Sequence, residues 1–204
     1  MQRSIPFADA GTASALFLAA VVLAMHVVQP EVNPATRFVS EYAHGPFGWL
    51  VSVAYLGAGL GTLALAWALH SASPGRWAVA AAIGTAVVGL GLVATGATRI
   101  DLASADGSIA STASGSIHEL AGYVVVLGLI PAGFVLSGAF RREARLASAA
   151  GPALLLAWLL VLNFGIAIAS QSLDLTGVGQ RVFLGSWVSW LIFVGLRLRG
   201  VAGT

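Results

Sequence analysis

The chain has 204 residues, of which 58% are hydrophobic and only 9% are charged. A water-soluble domain carries about 25% charged residues, so this composition excludes an ordinary soluble protein and indicates an integral membrane protein. The ten basic residues are scattered between apolar runs, so no continuous basic surface is predicted and we expect no nucleic-acid partner. Cysteine does not occur, which excludes disulfide bonds and thiolate metal ligands.

Six apolar segments are each long enough to cross a hydrocarbon layer of about 30 Å as a helix, at about 1.5 Å per residue. They cover residues 12–28, 47–69, 77–97, 118–140, 149–170 and 181–196. The predicted fold class is therefore all-α, a single six-helix transmembrane domain over residues 1–204 with the lipid bilayer as its surroundings. In the second segment, Gly57 and Gly61 have the small-xxx-small spacing that is typical of close helix packing.

The first connection has the signals of a short interfacial helix over residues 34–44. Asn33 suits the cap, Pro34 suits the first turn, and Gly45 suits the position after the end of a helix. Arg37 and Glu41 are four residues apart and would share one face of this helix.

The longest polar interruption covers residues 98–123, at the centre of the chain. Ionisable groups lie where the chain leaves and re-enters an apolar phase, where a charge is costly. Ser116 and Glu119 have the capping-box spacing, so the fourth helix is predicted to begin close to His118. This interruption is the first place to look for function. Its ionisable residues next to the apolar segments are Asp101, Asp106, His118 and Glu119.

The arginines are divided unequally between the two ends of the predicted bundle. With six spans, Arg37, Arg99 and Arg181 share one end, and the other seven of the ten basic residues share the opposite end with both termini. By the positive-inside rule, the arginine-rich end faces the cytoplasm in a multi-pass protein of the cell (inner) membrane. We name the two ends inner and outer on this basis.

Two features of its predicted position make the positive charge of Arg181 unfavourable at the outer end. It stands at the predicted start of the sixth helix, where the macrodipole disfavours a cation, and on the side that the positive-inside rule depletes of arginine. An offsetting partner is therefore expected, either a carboxylate of Asp101, Glu41 or Asp174, or a lipid phosphate. We predict that the guanidinium lies within about 4 Å of Asp101 or Glu41, with His118 lining the same cavity. A purely structural ion pair is the alternative.

Short polar motifs recur at the outer ends of the predicted helices. In chain order they are Ser40-Glu41, Asp101, Gly115-Ser116-Ile117-His118 and Gly179-Gln180-Arg181. With this order across six spans, the chain resembles a bacterial and archaeal family of hypothetical integral membrane proteins catalogued as domain of unknown function 998. The resemblance covers nearly the whole chain. It implies six spans and an outward polar cluster, and it implies no known reaction.

The main functional hypothesis is an outward-facing polar pocket that binds or translocates a lipid head group or a small amphiphile. Its predicted ligand-binding residues are Ser40, Glu41, Asp101, His118, Gln180 and Arg181. One alternative is a purely structural or interaction protein, in which the same cluster ties the connections together. Whether the protein is an enzyme is left open.

Two further alternatives depend on a cofactor. In a membrane-embedded zinc hydrolase, His118, His44 or His26, and Asp101 would hold Zn²⁺ while Glu41 served as base. No closely spaced ligand pair supports this hypothesis. A two-haem protein would need facing histidines at both ends, and the inner end offers only His70. No cofactor is therefore predicted, with zinc kept only for the hydrolase alternative.

A reporter fused to the C-terminus tests the predicted orientation. A fluorescent protein that folds in the cytoplasm should be active there, and a periplasmic alkaline phosphatase fusion should be inactive, because six spans and the arginine bias put the C-terminus inside. Phosphatase activity from this fusion would contradict both the span count and the assignment of the outer end.

Overall fold

The computed structural model describes residues 5–72, 75–104 and 107–202, with side chains to residue 200. Asp106, named above, lies outside the described residues. The α-helices are α1 (Ile5–Val28), α2 (Gly48–Ala72), α3 (Arg76–Ala97), α4 (Ala113–Arg142), α5 (Ala150–Gln171) and α6 (Thr176–Ala202). Two 3-10 helices, Val39–His44 and Ala147–Ala149, lie in connections.

All six α-helices of the described residues are long and apolar enough to cross a membrane. Large apolar side chains such as Leu23, Leu60 and Leu120 are 62–70% exposed on the outside of the bundle. Water would disfavour that much exposed apolar surface, whereas lipid tails accept it. The all-α prediction is confirmed, and the chain is a multi-pass membrane protein.

The helices form a closed ring. Each α-helix packs against its neighbours in the chain, and α1 packs against α6, which closes the circle. The 3-10 helix Val39–His44 contacts α2 and α6. This order decides which outer connections meet, because α6 lies beside α1 and α5 and packs also on α2.

Small residues allow the helices to approach closely inside the ring. A Cβ atom added at Gly96 of α3 would lie 2.6 Å from the backbone nitrogen of Leu56 and 2.9 Å from the carbonyl oxygen of Ser52, both on α2. Gly61 of α2 similarly faces the side chain of Ser14 on α1. No atom lies within 4 Å of a Cβ added at Gly57. Of the predicted glycine pair, only Gly61 is therefore at a close helix contact.

Three helices begin at least five residues earlier than predicted. Helix α1 begins at Ile5, whereas its predicted start is residue 12. Helix α4 begins at Ala113 with Thr112 as N-cap, whose side chain accepts a hydrogen bond from the Gly115 backbone N–H. Ser116 and Glu119 thus lie inside the helix, and the predicted capping box is wrong. Helix α6 begins at Thr176, because Asp174 adopts a left-handed conformation (φ 53°) that reverses the chain within one turn after α5.

The predicted interfacial helix over residues 34–44 is also wrong in part. Only Val39–His44 is helical, and it is a 3-10 helix. The backbone groups that an α-helix would use here are bound by side chains. The Phe38 N–H donates to Glu41 Oε1 at 2.9 Å, the Val39 N–H donates to Gln180 Oε1, and the Arg37 carbonyl oxygen accepts from Arg181. An α-helix would have to give up these three bonds.

Substitution of Gly96 tests the close contact between α2 and α3. Gly96→Ala should destabilise the protein by about 1–3 kcal/mol, because the methyl group meets backbone atoms that do not move without shifting α2. Thermal unfolding in mild detergent measures the effect. Gly57→Ala is the matched control, and it should be neutral or stabilising by up to about 1 kcal/mol because its Cβ enters open space. Equal effects of the two substitutions would contradict this packing.

Candidate functional site

The 3-10 helix Val39–His44 lies at the centre of the outer end. Its first N–H, from Val39, donates to the side-chain oxygen of Gln180 on α6 at 2.6 Å. At its other end, His44 Nε2 lies 2.7 Å from the Ile100 carbonyl oxygen and donates to it. The segment is therefore tied both to α6 and to the connection between α3 and α4.

Arg181 is the residue with the most hydrogen bonds in this region. Its Nε donates to His26 Nε2 at 2.9 Å. Its Nη1 donates to two carbonyl oxygens, Arg37 at 2.8 Å and Gly177 at 3.0 Å. Its Nη2 donates to the hydroxyl of Tyr42 at 3.4 Å. One side chain thus joins α6 to α1 and to the first connection. We call Arg181, His26 and Tyr42 the Arg181 cluster.

The hydrogen bonds of His26 determine its tautomer. Its Nδ1 lies 2.6 Å from the Val22 carbonyl oxygen, which only accepts, so Nδ1 carries a proton. Its Nε2 receives the N–H of Arg181, which only donates, so Nε2 has no proton. His26 is therefore neutral when it binds Arg181, and it leaves the positive charge of the guanidinium uncompensated.

The predicted carboxylate partner of Arg181 is wrong. In the described part of the chain the ion pairs join Arg37 to Glu41, Arg145 to Glu143, and Arg199 to Asp9. None includes Arg181. The ring explains this difference, because α6 packs against α1, α5 and α2, whereas Asp101 follows α3. Glu41 is close in sequence to the cluster, but Arg37 and the Phe38 N–H hold its two oxygens.

Two members of this region carried no clear signal in the sequence. Tyr42 is 0% exposed, and its ring lies 5.8 Å from the Arg181 Cζ atom. Gln29, which follows α1, is 1% exposed, and neither of its amide atoms has a hydrogen-bond partner among the described residues. The Gln29 side chain fits here only because residue 45 is glycine, since a Cβ atom on Gly45 would overlap the Gln29 amide. Their importance depends on contacts between distant segments.

Ser40 and His118 meet in a separate small pocket. Its lining includes Tyr55 of α2 and Thr98 after α3. His118 is 6% exposed, and its Nδ1 lies 3.1 Å from the Thr98 carbonyl oxygen, to which it donates. The side chains close on one another so tightly that no water-sized space remains between them. The predicted proximity of Ser40 to His118 is observed, but the pocket is closed.

Asp101 does not join either group, because it holds the start of α4. Its Oδ2 accepts from the Thr112 backbone N–H at 2.8 Å, and its Oδ1 accepts from the Thr112 hydroxyl at 2.7 Å. These two bonds lower the pKa of the Asp101 carboxyl from its ordinary value of 3.8. Of the six predicted site residues, Arg181 belongs to the Arg181 cluster and Glu41 and Gln180 lie beside it. Ser40 and His118 line the small pocket, and Asp101 holds the N-cap of α4.

The proposed zinc ligands do not converge. Among the residues that the structure describes, no three His, Asp or Glu side chains are grouped so that they could hold a metal ion. Both ring nitrogens of His26 already form hydrogen bonds. Metal binding by His26 would therefore require the loss of its contact with Arg181.

These features define a multi-pass membrane protein whose outer connections are joined to its helices by polar side chains. The chain belongs to the family described as Protein of unknown function (DUF998), whose model matches residues 12–197. The resemblance read from the motifs is confirmed. No match was found among curated proteins or among solved structures.

The role of Asp101 predicts a pH dependence. Because the folded state lowers the pKa of Asp101 from 3.8, the ionised carboxylate stabilises the fold above about pH 4, and this stabilisation is lost as the pH falls through the lower folded-state value. The Tm difference between the wild type and Asp101→Asn should be constant from pH 6 to about pH 4 and should shrink below it.

Asp174→Asn is the control for this pH series. Asp174 is exposed and left-handed, a conformation that Asn also tolerates. The Asp174→Asn substitution removes the same charge without loss of a helix cap, so the Tm difference between this variant and the wild type should be small at every pH. A difference for Asp101→Asn that grows below pH 4 would contradict the cap.

Proposed function

We propose that the protein binds the anionic head group of a lipid or of a small amphiphile at its outer end, with Arg181 as the contacting residue. The observation that carries this proposal is a half-buried guanidinium whose four hydrogen-bond acceptors are all neutral. A half-buried cation is costly without an anion, and a phosphate or carboxylate group is the usual partner of arginine.

The donors of Arg181 support a specific mode of contact. A guanidinium has five N–H groups. Four are used by His26, the Arg37 carbonyl, the Gly177 carbonyl and Tyr42. The remaining N–H is on Nη2. The proposed ligand oxygen therefore approaches Nη2 from the side that Tyr42 does not occupy, through one charge-assisted hydrogen bond.

The neighbouring charges favour an anion as well. Arg37 and Glu41 lie 3.2 Å apart and cancel one another, which leaves the charge of Arg181 as the local excess. Gln180 precedes it on α6 and uses its side-chain oxygen for the Val39 N–H. Its amide nitrogen has no partner within the described residues, so it offers a second donor next to Arg181.

A structural role is the second candidate, and the same hydrogen bonds favour it. Arg181 joins three segments through its side chain, and a connection of this kind stabilises a bundle without any ligand. The two candidates differ in one respect. A structural arginine changes stability alone, whereas a binding arginine also changes which lipids the protein retains.

Arg181→Gln tests the proposal. The wild-type protein in mild detergent should bind an anionic phospholipid more tightly than a zwitterionic lipid with the same acyl chains, as measured by native mass spectrometry. Arg181→Gln should lower the affinity for the anionic lipid by about tenfold or more, because one hydrogen bond to a charged group is lost.

Arg99→Gln is the matched control. Arg99 also lies at the outer end, is exposed, and its side chain forms no ion pair in the described part of the chain. It should leave the affinity within about twofold, since no oriented contact is removed. Unchanged binding by folded Arg181→Gln, or equal losses in both variants, would overturn the proposal.

A further inference from the structure

A second polar cavity lies at the inner end, far along the helices from the Arg181 cluster. It has a volume of about 350 Å³ and is formed where the connection between α4 and α5 meets the last turns of α6. Ligand sites in proteins begin at about 300 Å³. The cavity is therefore large enough for a phosphorylated glycerol head group.

Two arginines from different elements line this cavity. Arg145 comes from the connection and Arg197 from α6. The guanidinium of Arg197 lies 5.3 Å from the centre of the Phe193 ring and forms no hydrogen bond or ion pair within the described residues. Stacking on Phe193 limits the orientations of the Arg197 side chain. Binding of a ligand to its N–H groups would therefore cost little further side-chain conformational entropy.

Glu143, the acid near this cavity, pairs with Arg145 and not with Arg197. Arg145 Nε donates to Glu143 Oε1 at 3.3 Å, so Glu143 offsets Arg145. No acid of the described residues pairs with Arg197, so its positive charge is the excess among them. Ser148 also lines the cavity, and its hydroxyl has no partner among the described side chains. An arginine and a hydroxyl that face the same space are a typical combination for a phosphate.

The remaining lining is apolar. Leu146, Ala149, Leu196 and Gly200 complete the cavity beside the two arginines and Ser148. Leu196 is 54% exposed on the side of the bundle, where lipid chains would lie. A free inorganic phosphate would gain nothing from these groups, whereas a phospholipid would place its head group at the arginines and its first acyl carbons against the leucines.

We propose that this cavity, which we call the Arg197 cavity, binds the phosphodiester of an anionic phospholipid from the inner leaflet. Arg197 and Ser148 donate to the phosphate oxygens, and Leu196 contacts the acyl chain. This site is independent of the outer one and of the function proposed for it. It would attach the ends of α5 and α6 to a specific lipid.

The experiment uses the full chain carrying Arg181→Gln, so that a lipid at the outer end does not contribute. Native mass spectrometry measures binding of phosphatidylglycerol, of phosphatidylcholine with the same acyl chains, and of inorganic phosphate. Phosphatidylglycerol should bind most tightly, and adding Arg197→Gln should weaken it about tenfold. Arg141→Gln is the matched control, because Arg141 is exposed at the same end and does not line the cavity.

A second variant tests the role of the open space independently of the positive charge. Ser148→Phe keeps every arginine and fills the space, so it should also weaken binding of phosphatidylglycerol, while gel filtration shows that the protein remains folded. Equal losses in Arg197→Gln and Arg141→Gln, unchanged binding in Ser148→Phe, or tighter binding of inorganic phosphate than of the lipid would each overturn the proposal. Because the outer site is already disabled in this background, these outcomes leave the proposal for Arg181 unaffected.

Discussion

The outer end of the bundle depends on where the guanidinium of Arg181 finds its hydrogen-bond acceptors. One side chain on α6 reaches His26 at the end of α1, the Arg37 carbonyl in the first connection, and the Tyr42 hydroxyl in the 3-10 helix. These acceptors belong to segments more than a hundred residues away in sequence. Gly177 permits this approach because it has no side chain. A Cβ atom there would overlap the carbonyl oxygens of Pro34 and Arg37.

This arrangement also decides the conformation of the first connection. Arg181 and Gln180 bind backbone groups of Arg37 and Val39 that would otherwise belong to an α-helix. Local signals at Asn33, Pro34 and Gly45 predicted such a helix, and they are satisfied by a turn followed by a 3-10 helix instead. Local propensity is a weak preference of a few tenths of a kcal/mol per residue, so several long-range hydrogen bonds override it.

The parts of the structure that follow from apolar length were predictable from sequence. The number of spanning helices, their order and the all-α fold all depend on the bilayer, which allows few alternatives to a helix. The start of α4 was not predictable, because Thr112 becomes the cap only when Asp101, eleven residues earlier, holds it. The partner of Arg181 was not predictable either, because it depends on the closure of the ring between α1 and α6. The sequence indicated that the positive charge of Arg181 is unfavourably placed and needs a partner, and only the fold identified His26 as its hydrogen-bond acceptor.

A double-mutant cycle tests most directly whether His26, and not a carboxylate, is the partner of Arg181. Unfolding in detergent would compare Arg181→Gln, His26→Phe, and the double variant, with a parallel cycle for Arg181→Gln and Asp101→Asn. We expect a coupling energy of about 0.5–3 kcal/mol between positions 181 and 26, and additivity within about 0.5 kcal/mol between positions 181 and 101. Coupling to Asp101 with none to His26 would contradict this expectation.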